Sequence, residues 1–129
     1  MYNSIWYDSL VKPVLNPPSW IFPPVWSILY ALIIISLFIY IFKNSLQNKS
    51  SGYVYFIIQL ILNLAWSPIF FYFKNIGLAL IIVVLLDYFV ILTIKRFYSV
   101  SKISAILLIP YLLWILFATY LNTAFLILN

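Results

Sequence analysis

The sequence predicts an all-α integral membrane protein, a bundle of four transmembrane helices that forms a single domain over residues 1–129. Of the 129 residues, 67% are hydrophobic and only 7% are charged, which is too little polar surface for a globule in water. Four apolar runs each approach the ~20 residues that a bilayer-crossing helix needs. Short connections separate these runs and force neighbouring helices to be antiparallel.

A lid rich in Trp, Tyr and Pro is predicted over residues 1–21, ahead of the first helix. Pro13, Pro17 and Pro18 each fix φ and remove a backbone donor, which keeps the segment irregular. Trp and Tyr favour positions where one end of the ring is apolar and the other is wet, so the lid belongs at a membrane interface. The composition fits an ordinary aromatic belt and a ligand-covering lid equally well.

The four helices are predicted at about residues 22–42, 52–73, 76–94 and 103–128. Pro23 and Pro24 suit the opening turn of the first helix, because the amide hydrogens of that turn have no partner within the helix. The connections at 43–51, 74–75 and 95–102 are short. We therefore expect an up-down bundle with no second domain.

The basic residues predict the orientation of the bundle. Five of the seven Lys and Arg fall in the first and third connections, and Lys12 and Lys74 fall elsewhere. Because cytoplasmic loops carry an excess of Lys and Arg, the termini and the lid are predicted on the non-cytoplasmic side of a bacterial inner membrane. A mitochondrial-type membrane is the alternative location. These charges at helix ends indicate topology and not nucleic-acid binding. The five residues are Lys43, Lys49, Lys95, Arg96 and Lys102.

The catalytic chemistry available to the chain is narrow. It contains no Cys or His, its only acidic side chains are Asp8 and Asp87, and its only glycines are Gly52 and Gly77. This composition argues against nucleophile–base pairs, soft metal sites and glycine-rich phosphate loops, so we predict no metal and no required cofactor. Photochemical or radical chemistry on a bound pigment needs only Trp and Tyr and stays open.

A polar face is predicted on the second helix. Gln59, Asn63, Trp66, Ser67 and Phe70 recur at steps of three and four residues and therefore share one side of the helix. Side-chain amides are costly in lipid unless they are paired, so this side is predicted to point into the bundle. The amides either bond neighbouring helices together or face a ligand, and the spacing does not distinguish these roles.

Matching faces on the first and fourth helices predict a cavity. Trp26 and Tyr30 lie one turn apart on the first helix, and aromatic residues recur at helical spacing on the fourth. Ala118 stands among large side chains, which leaves space for either a neighbouring backbone or a ligand. Such walls suit a flat, mostly apolar ligand that forms a few hydrogen bonds. The predicted lining is Trp26, Tyr30, Asn63, Trp66, Ser67, Phe70, Trp114, Phe117 and Asn122.

Two residues inside the spans need separate explanations. Pro68 removes the hydrogen bond to the carbonyl of Leu64, which predicts a kink that widens the cavity. Asp87 lies near the middle of the third helix, where an ionisable group is rare. We favour a carboxyl that is protonated, or that bonds a hydroxyl on the next helix, over one that contacts the ligand.

The chain resembles the TspO/MBR family, which comprises tryptophan-rich sensory proteins and translocator proteins. The motifs are ordered and cover nearly the whole chain. They are Trp6-Tyr7, Leu10, Lys12-Pro13, Pro17 to Trp20, Pro24 to Trp26, Leu29-Tyr30, Gln59-Leu60, Asn63, Trp66 to Pro68, Phe70-Phe71, Pro110 to Leu112, Trp114, Phe117-Ala118 and Leu121-Asn122.

The resemblance implies a helical bundle that binds tetrapyrroles such as protoporphyrin IX and haem, and in some members sterols or isoquinoline carboxamide and benzodiazepine drugs. It implies that Trp26 and Trp114 match tryptophans associated with porphyrin breakdown. The pocket implied beneath the Trp-rich loop is lined by Trp6, Tyr7, Trp26, Tyr30, Asn63, Trp66, Ser67, Trp114, Ala118 and Leu121.

The chain departs from the family pattern in two places. Family members usually have five transmembrane helices, and the helix that precedes the Trp-Tyr loop is not present in these 129 residues. We therefore expect an apolar flank between the first two helices, covered by lipid, by a second copy or by another partner. The segment 123–129 also lacks the Tyr and Arg of the sterol-recognition pattern of animal members.

These features lead to three functional hypotheses. The first is a membrane protein that binds tetrapyrroles or similar hydrophobic small molecules and acts as a sensor, transporter or buffer. The second is a light- or oxygen-dependent enzyme that degrades porphyrins with Trp26 and Trp114 as electron donors. The third is a small helical assembly factor without a ligand, in which ordinary packing explains every aromatic residue.

Overall fold

The computed structural model describes residues 19–46 and 48–128, and these ranges are entirely helical or irregular, without strands. A short 3-10 turn, Ser19–Ile21, leads into the first helix, and a π-helix, Pro68–Tyr72, follows the second. Within these ranges four spans are long and apolar enough to cross a membrane, which confirms the predicted all-α membrane bundle. The lid residues 1–18, including Trp6 and Tyr7, lie outside the described residues. The α-helices are α1 (Phe22–Phe42), α2 (Ser50–Ser67), α3 (Ile76–Val100), α4 (Lys102–Leu107) and α5 (Ile109–Leu128).

Helix α1 has the bounds that the sequence predicts. Proline occupies its first turn, where no intrahelical hydrogen bond is lost. The helix ends at Phe42, and the next residue, Lys43, has an extended backbone and an amide that donates to the Ile39 carbonyl at 3.0 Å.

At Pro68, where the sequence predicts a kink, the structure has a π-helix. Because Pro68 has no amide hydrogen, the α-helical hydrogen-bond pattern of α2 stops there. The amide of Phe73 then donates to the Pro68 carbonyl, five residues back, at 3.0 Å. Lys74 reverses the chain with φ of 56°, and the Asn75 side chain caps α3 by accepting from the Leu78 amide at 3.0 Å.

Helix α3 is six residues longer than predicted. The sequence places its end at residue 94 and a connection at 95–102, but the helix continues through Lys95 and Arg96 to Val100. The long side chains of Lys and Arg can reach the membrane surface from a helix that is still inside the membrane. Charge alone therefore does not end this helix. It ends at Ser101, whose backbone is extended.

The predicted fourth helix at 103–128 is not continuous. It begins at Lys102 and is divided at Leu108 into α4 and α5. Pro110 cannot donate to the Ile106 carbonyl, and the Leu108 amide donates to Ala105 at 3.1 Å in a tighter turn.

The helices pack in the order α1, α4 with α5, α3 and α2 around the bundle. Helix α1 is fastened to α4 by two serines, since the Ser36 hydroxyl donates to the Ser104 carbonyl and the Ser104 hydroxyl donates to the Ser36 carbonyl, each at 2.6 Å. The backbones of α1 and α2 make little direct contact. Tyr30 and Tyr40 of α1 bridge that space instead, at the flank where the sequence predicts an uncovered side.

A stack of aromatic rings closes the end of the bundle opposite the predicted lid. Tyr40 is 1% exposed and stacks on Phe97 with centroids 4.0 Å apart, and Phe97 stacks on Phe56 at 5.9 Å. The Tyr40 hydroxyl donates to the Lys49 carbonyl at 2.9 Å. Helix α2 passes close to this ring at Gly52, where an added Cβ would lie 2.7 Å from Cζ of Tyr40.

Candidate ligand-binding cavity

A cavity of about 260 Å³ lies between α1, α5 and the end of α2. Its volume is close to the lower limit of roughly 300 Å³ for pockets that take drug-sized ligands. Its walls are mostly aromatic and aliphatic. They consist of Phe22, Pro23, Trp26, Ser27, Tyr30, Trp66, Phe70, Trp114, Phe117, Ala118, Leu121, Asn122 and Phe125.

Helix α1 contributes two rings that lie one turn apart. The rings of Trp26 and Tyr30 have centroids 5.6 Å apart, and the indole of Trp26 also meets Tyr111 of α5 edge-on at 6.4 Å. Phe22 contacts Trp114 in the same edge-on way at 6.0 Å. Aromatic contacts of this kind favour defined ring positions, so this wall is preorganised.

The end of α2 and its π-helix supply a stacked pair, Trp66 and Phe70, with centroids 5.1 Å apart. The indole nitrogen of Trp66 donates to Oδ1 of Asn122 at 2.9 Å, and Nδ2 of Asn122 donates to the Ile76 carbonyl at 3.0 Å. Asn122 therefore ties α5 to the end of α2 and to the start of α3. The indole nitrogen of Trp66 and the amide of Asn122 are thus hydrogen-bonded within the protein, and a ligand would meet aromatic ring surface here.

Helix α5 forms the third wall. Trp114 and Phe117 lie 5.7 Å apart and present ring surface, while Ala118 and Leu121 complete the wall. Since Ala118 has only a methyl group, the cavity gains depth at this position.

A buried hydrogen-bond network lies beneath the cavity. The Tyr30 hydroxyl donates to Oδ1 of Asn63 at 2.5 Å, and Nδ2 of Asn63 donates to the Tyr111 hydroxyl at 2.8 Å. Tyr111 in turn donates to Oε1 of Gln59 at 2.8 Å. Gln59 is 1% exposed, and neither amide lines the cavity. In the structure both amides bond helices together, and they hold the Tyr30 ring in place.

Asp87 also forms a hydrogen bond to a neighbouring helix, and it is not part of the cavity lining. The Thr119 hydroxyl of α5 lies 2.6 Å from Oδ2 of Asp87 and 2.9 Å from the Ile115 carbonyl. Asp87 is 9% exposed, and its Oδ1 has no hydrogen-bond partner among the described residues. This is the arrangement that the sequence favours for Asp87.

The structure brings most of the predicted site residues to one cavity. Asn63 lies in the network below it, Ser67 is absent from its lining, and Trp6 and Tyr7 are outside the described residues. The residues that share the lining are Trp26, Tyr30, Trp66, Phe70, Trp114, Phe117, Ala118, Leu121 and Asn122.

Four lining residues are not among those predicted from the sequence, namely Phe22, Pro23, Ser27 and Phe125. Phe22 and Pro23 precede Trp26 by four and three residues, and Phe125 follows Asn122 by three, so helical spacing contained the signal for these positions. Ser27 is adjacent to Trp26, and its hydroxyl donates to the Pro23 carbonyl at 2.9 Å.

Comparison with known proteins places these features in a family. The sequence profile of the TspO/MBR family matches residues 1–128. The chain is 45% identical to the tryptophan-rich protein TspO of Chlorobaculum tepidum over 98% of this chain and 80% of the relative. It is 46% identical to the tryptophan-rich protein TspO of Archaeoglobus fulgidus over 96% of this chain and 80% of the relative. It is also 37% identical to the translocator protein of Homo sapiens over 91% and 70% of the two chains. The chain belongs to the TspO/MBR family of multi-pass membrane proteins.

Proposed function

We propose that this protein binds tetrapyrroles, such as protoporphyrin IX or haem, in the cavity between α1, α2 and α5, and thereby senses, moves or buffers them. The observation that carries the proposal is the set of indoles in the lining, since Trp26, Trp66 and Trp114 come from three helices and meet at one cavity. Flat ligands with extended π systems stack on such rings.

Polar groups in the cavity lining already form hydrogen bonds within the protein, which favours a ligand held mainly by shape and by contact with aromatic rings. Tyr30 donates to Asn63, and Trp66 donates to Asn122. Ser27 donates to the Pro23 carbonyl, and the described lining contains no charged side chain. A volume of about 260 Å³ can enclose only part of a macrocycle. The relatives' names, sensory protein and translocator protein, agree with capture or movement of a ligand.

Filling the cavity tests this site. We expect Ala118→Phe to weaken binding of protoporphyrin IX at least tenfold, because the added ring occupies the space beside Trp114 and Leu121. The measurement is quenching of Trp fluorescence on titration with the porphyrin. Leu113→Phe is the matched control, since Leu113 lies on the same helix and is exposed to lipid.

Equal quenching of the Ala118→Phe variant and the wild type would contradict the assigned site. If the wild-type protein bound no tetrapyrrole, the third hypothesis, a helical assembly factor, would replace this proposal.

The second candidate function is porphyrin degradation that depends on light and oxygen. The placement of Trp26 and Trp114 in one lining favours it, because both indoles could donate electrons to a photoexcited ring, with oxygen as the final oxidant. Illumination of the complex in air should then bleach the porphyrin absorption band, and Trp26→Phe with Trp114→Phe should slow the loss. A band that persists on the wild-type protein would exclude this activity and leave binding as the function.

A further inference from the structure

Basic side chains gather at the end of the bundle opposite the cavity. The C-terminal ends of α1 and α3 and the N-terminal ends of α2 and α4 lie at this end of the bundle. Tyr40 of α1 stacks on Phe97 of α3 there. The set of basic residues at this end, called the basic rim below, comprises Lys43, Lys49, Lys95, Arg96 and Lys102.

One member of the basic rim has a structural role. The Lys49 ammonium donates to the carbonyls of Ile41 at 3.0 Å and Lys43 at 2.6 Å, which satisfies acceptors at the end of α1. The side chains of Lys43, Lys95, Arg96 and Lys102 are exposed.

No acidic side chain in the described ranges balances these four charges. Asp87 is the only acidic side chain in residues 19–46 and 48–128. It is eight residues before Lys95, or about 12 Å along α3, and it is bonded to Thr119. The helix dipole does not account for Lys102. This residue is at the start of α4, where the dipole disfavours a positive charge.

The surroundings of these cations are apolar. Phe42, Leu46, Tyr98 and Ile103 are all exposed and lie within three residues of one of these cations in the sequence. A ligand for this surface must therefore place an anionic group at the level of the cations and acyl chains against the helices. We propose that the basic rim is a binding surface for anionic phospholipids, whose phosphodiester and acyl chains match this combination.

The relative association of spin-labelled lipids tests this proposal. The full chain is reconstituted in phosphatidylcholine bilayers with trace spin-labelled phosphatidylglycerol or phosphatidylcholine, and the immobilised fraction of each label is measured. We expect a several-fold preference for phosphatidylglycerol that declines in high salt. Lys95→Gln and Lys102→Gln, measured as separate single variants, should each lower it, by at most roughly fivefold.

Lys74→Gln provides the matched control, because it removes one positive charge at the other end of the bundle and should leave the preference unchanged. Far-UV circular dichroism verifies that each variant keeps its helices. Equal association of both lipids with the wild-type protein would overturn the proposal. A loss in Lys74→Gln as large as in the rim variants would also overturn it, since the effect would then follow net charge and not position.

Discussion

Gly52 lies where α2 passes close to the ring of Tyr40 on α1. A Cβ there would meet the ring of Tyr40, which cannot move easily because it stacks on Phe97 and bonds the Lys49 carbonyl. Gly77 differs, since a Cβ at that position has only Oδ1 of Asn75 nearby, at 3.8 Å.

We therefore expect Gly52→Ala to lower the free energy of unfolding by about 1–3 kcal/mol, the usual cost of overpacking. Gly77→Ala should be neutral or slightly stabilising, because Ala favours helix over Gly. Unfolding of the two variants in detergent, followed by circular dichroism, makes the comparison. Equal stability of the two variants would show that the ring of Tyr40 can be displaced at little cost.

Helical spacing identified the correct side of each helix at the residue scale but not the depth of a side chain within it. Asn63 and Trp66 were predicted for one lining because they are three residues apart. In the structure Tyr30 and Tyr111 take both ends of the Asn63 amide below the cavity, whereas Trp66 reaches the cavity itself. The partners that decide this come from α1 and α5, and spacing along α2 contains no information about them.

At the scale of elements, the π-helix at Pro68–Tyr72 sets the position of the cavity's second wall. It adds one residue to a turn, so it changes the direction in which Phe70 points relative to a continuous α-helix. Phe70 is 2% exposed, stacks on Trp66 and contacts Phe125 edge-on at 6.0 Å.

Pro68→Ala restores an amide donor for the Leu64 carbonyl, so we expect α2 to continue as an α-helix and to displace Phe70 from the lining. Affinity for protoporphyrin IX should fall severalfold while helix content stays the same or rises. Pro24→Ala is the control, since Pro24 lies in the first turn of α1 and its replacement restores no hydrogen bond there. If Pro68→Ala bound protoporphyrin IX as tightly as the wild type, the π-helix would not be needed for the shape of the cavity.

The number of spans could be predicted from sequence because bilayer thickness sets the length of an apolar run. The C-terminal end of α3 and the division at Leu108 could not. Lys95 and Arg96 continue the helix because the membrane surface accepts their charges, and the effect of Pro110 falls on the turn before it. Composition therefore predicts which segments cross the membrane better than it predicts where the backbone hydrogen-bonding pattern changes.

For the whole molecule, the packing order has a consequence for biosynthesis. Helix α1 packs mainly on α4 and α5, which come last in sequence among the described helices, while its backbone makes little contact with α2. Spans that enter the bilayer one after another associate only when their partners are present. The contacts of α1 with α4 and α5 can therefore form only after both of these helices have entered the bilayer. The cavity, whose walls come from the earliest and the latest described spans, takes shape only at that moment.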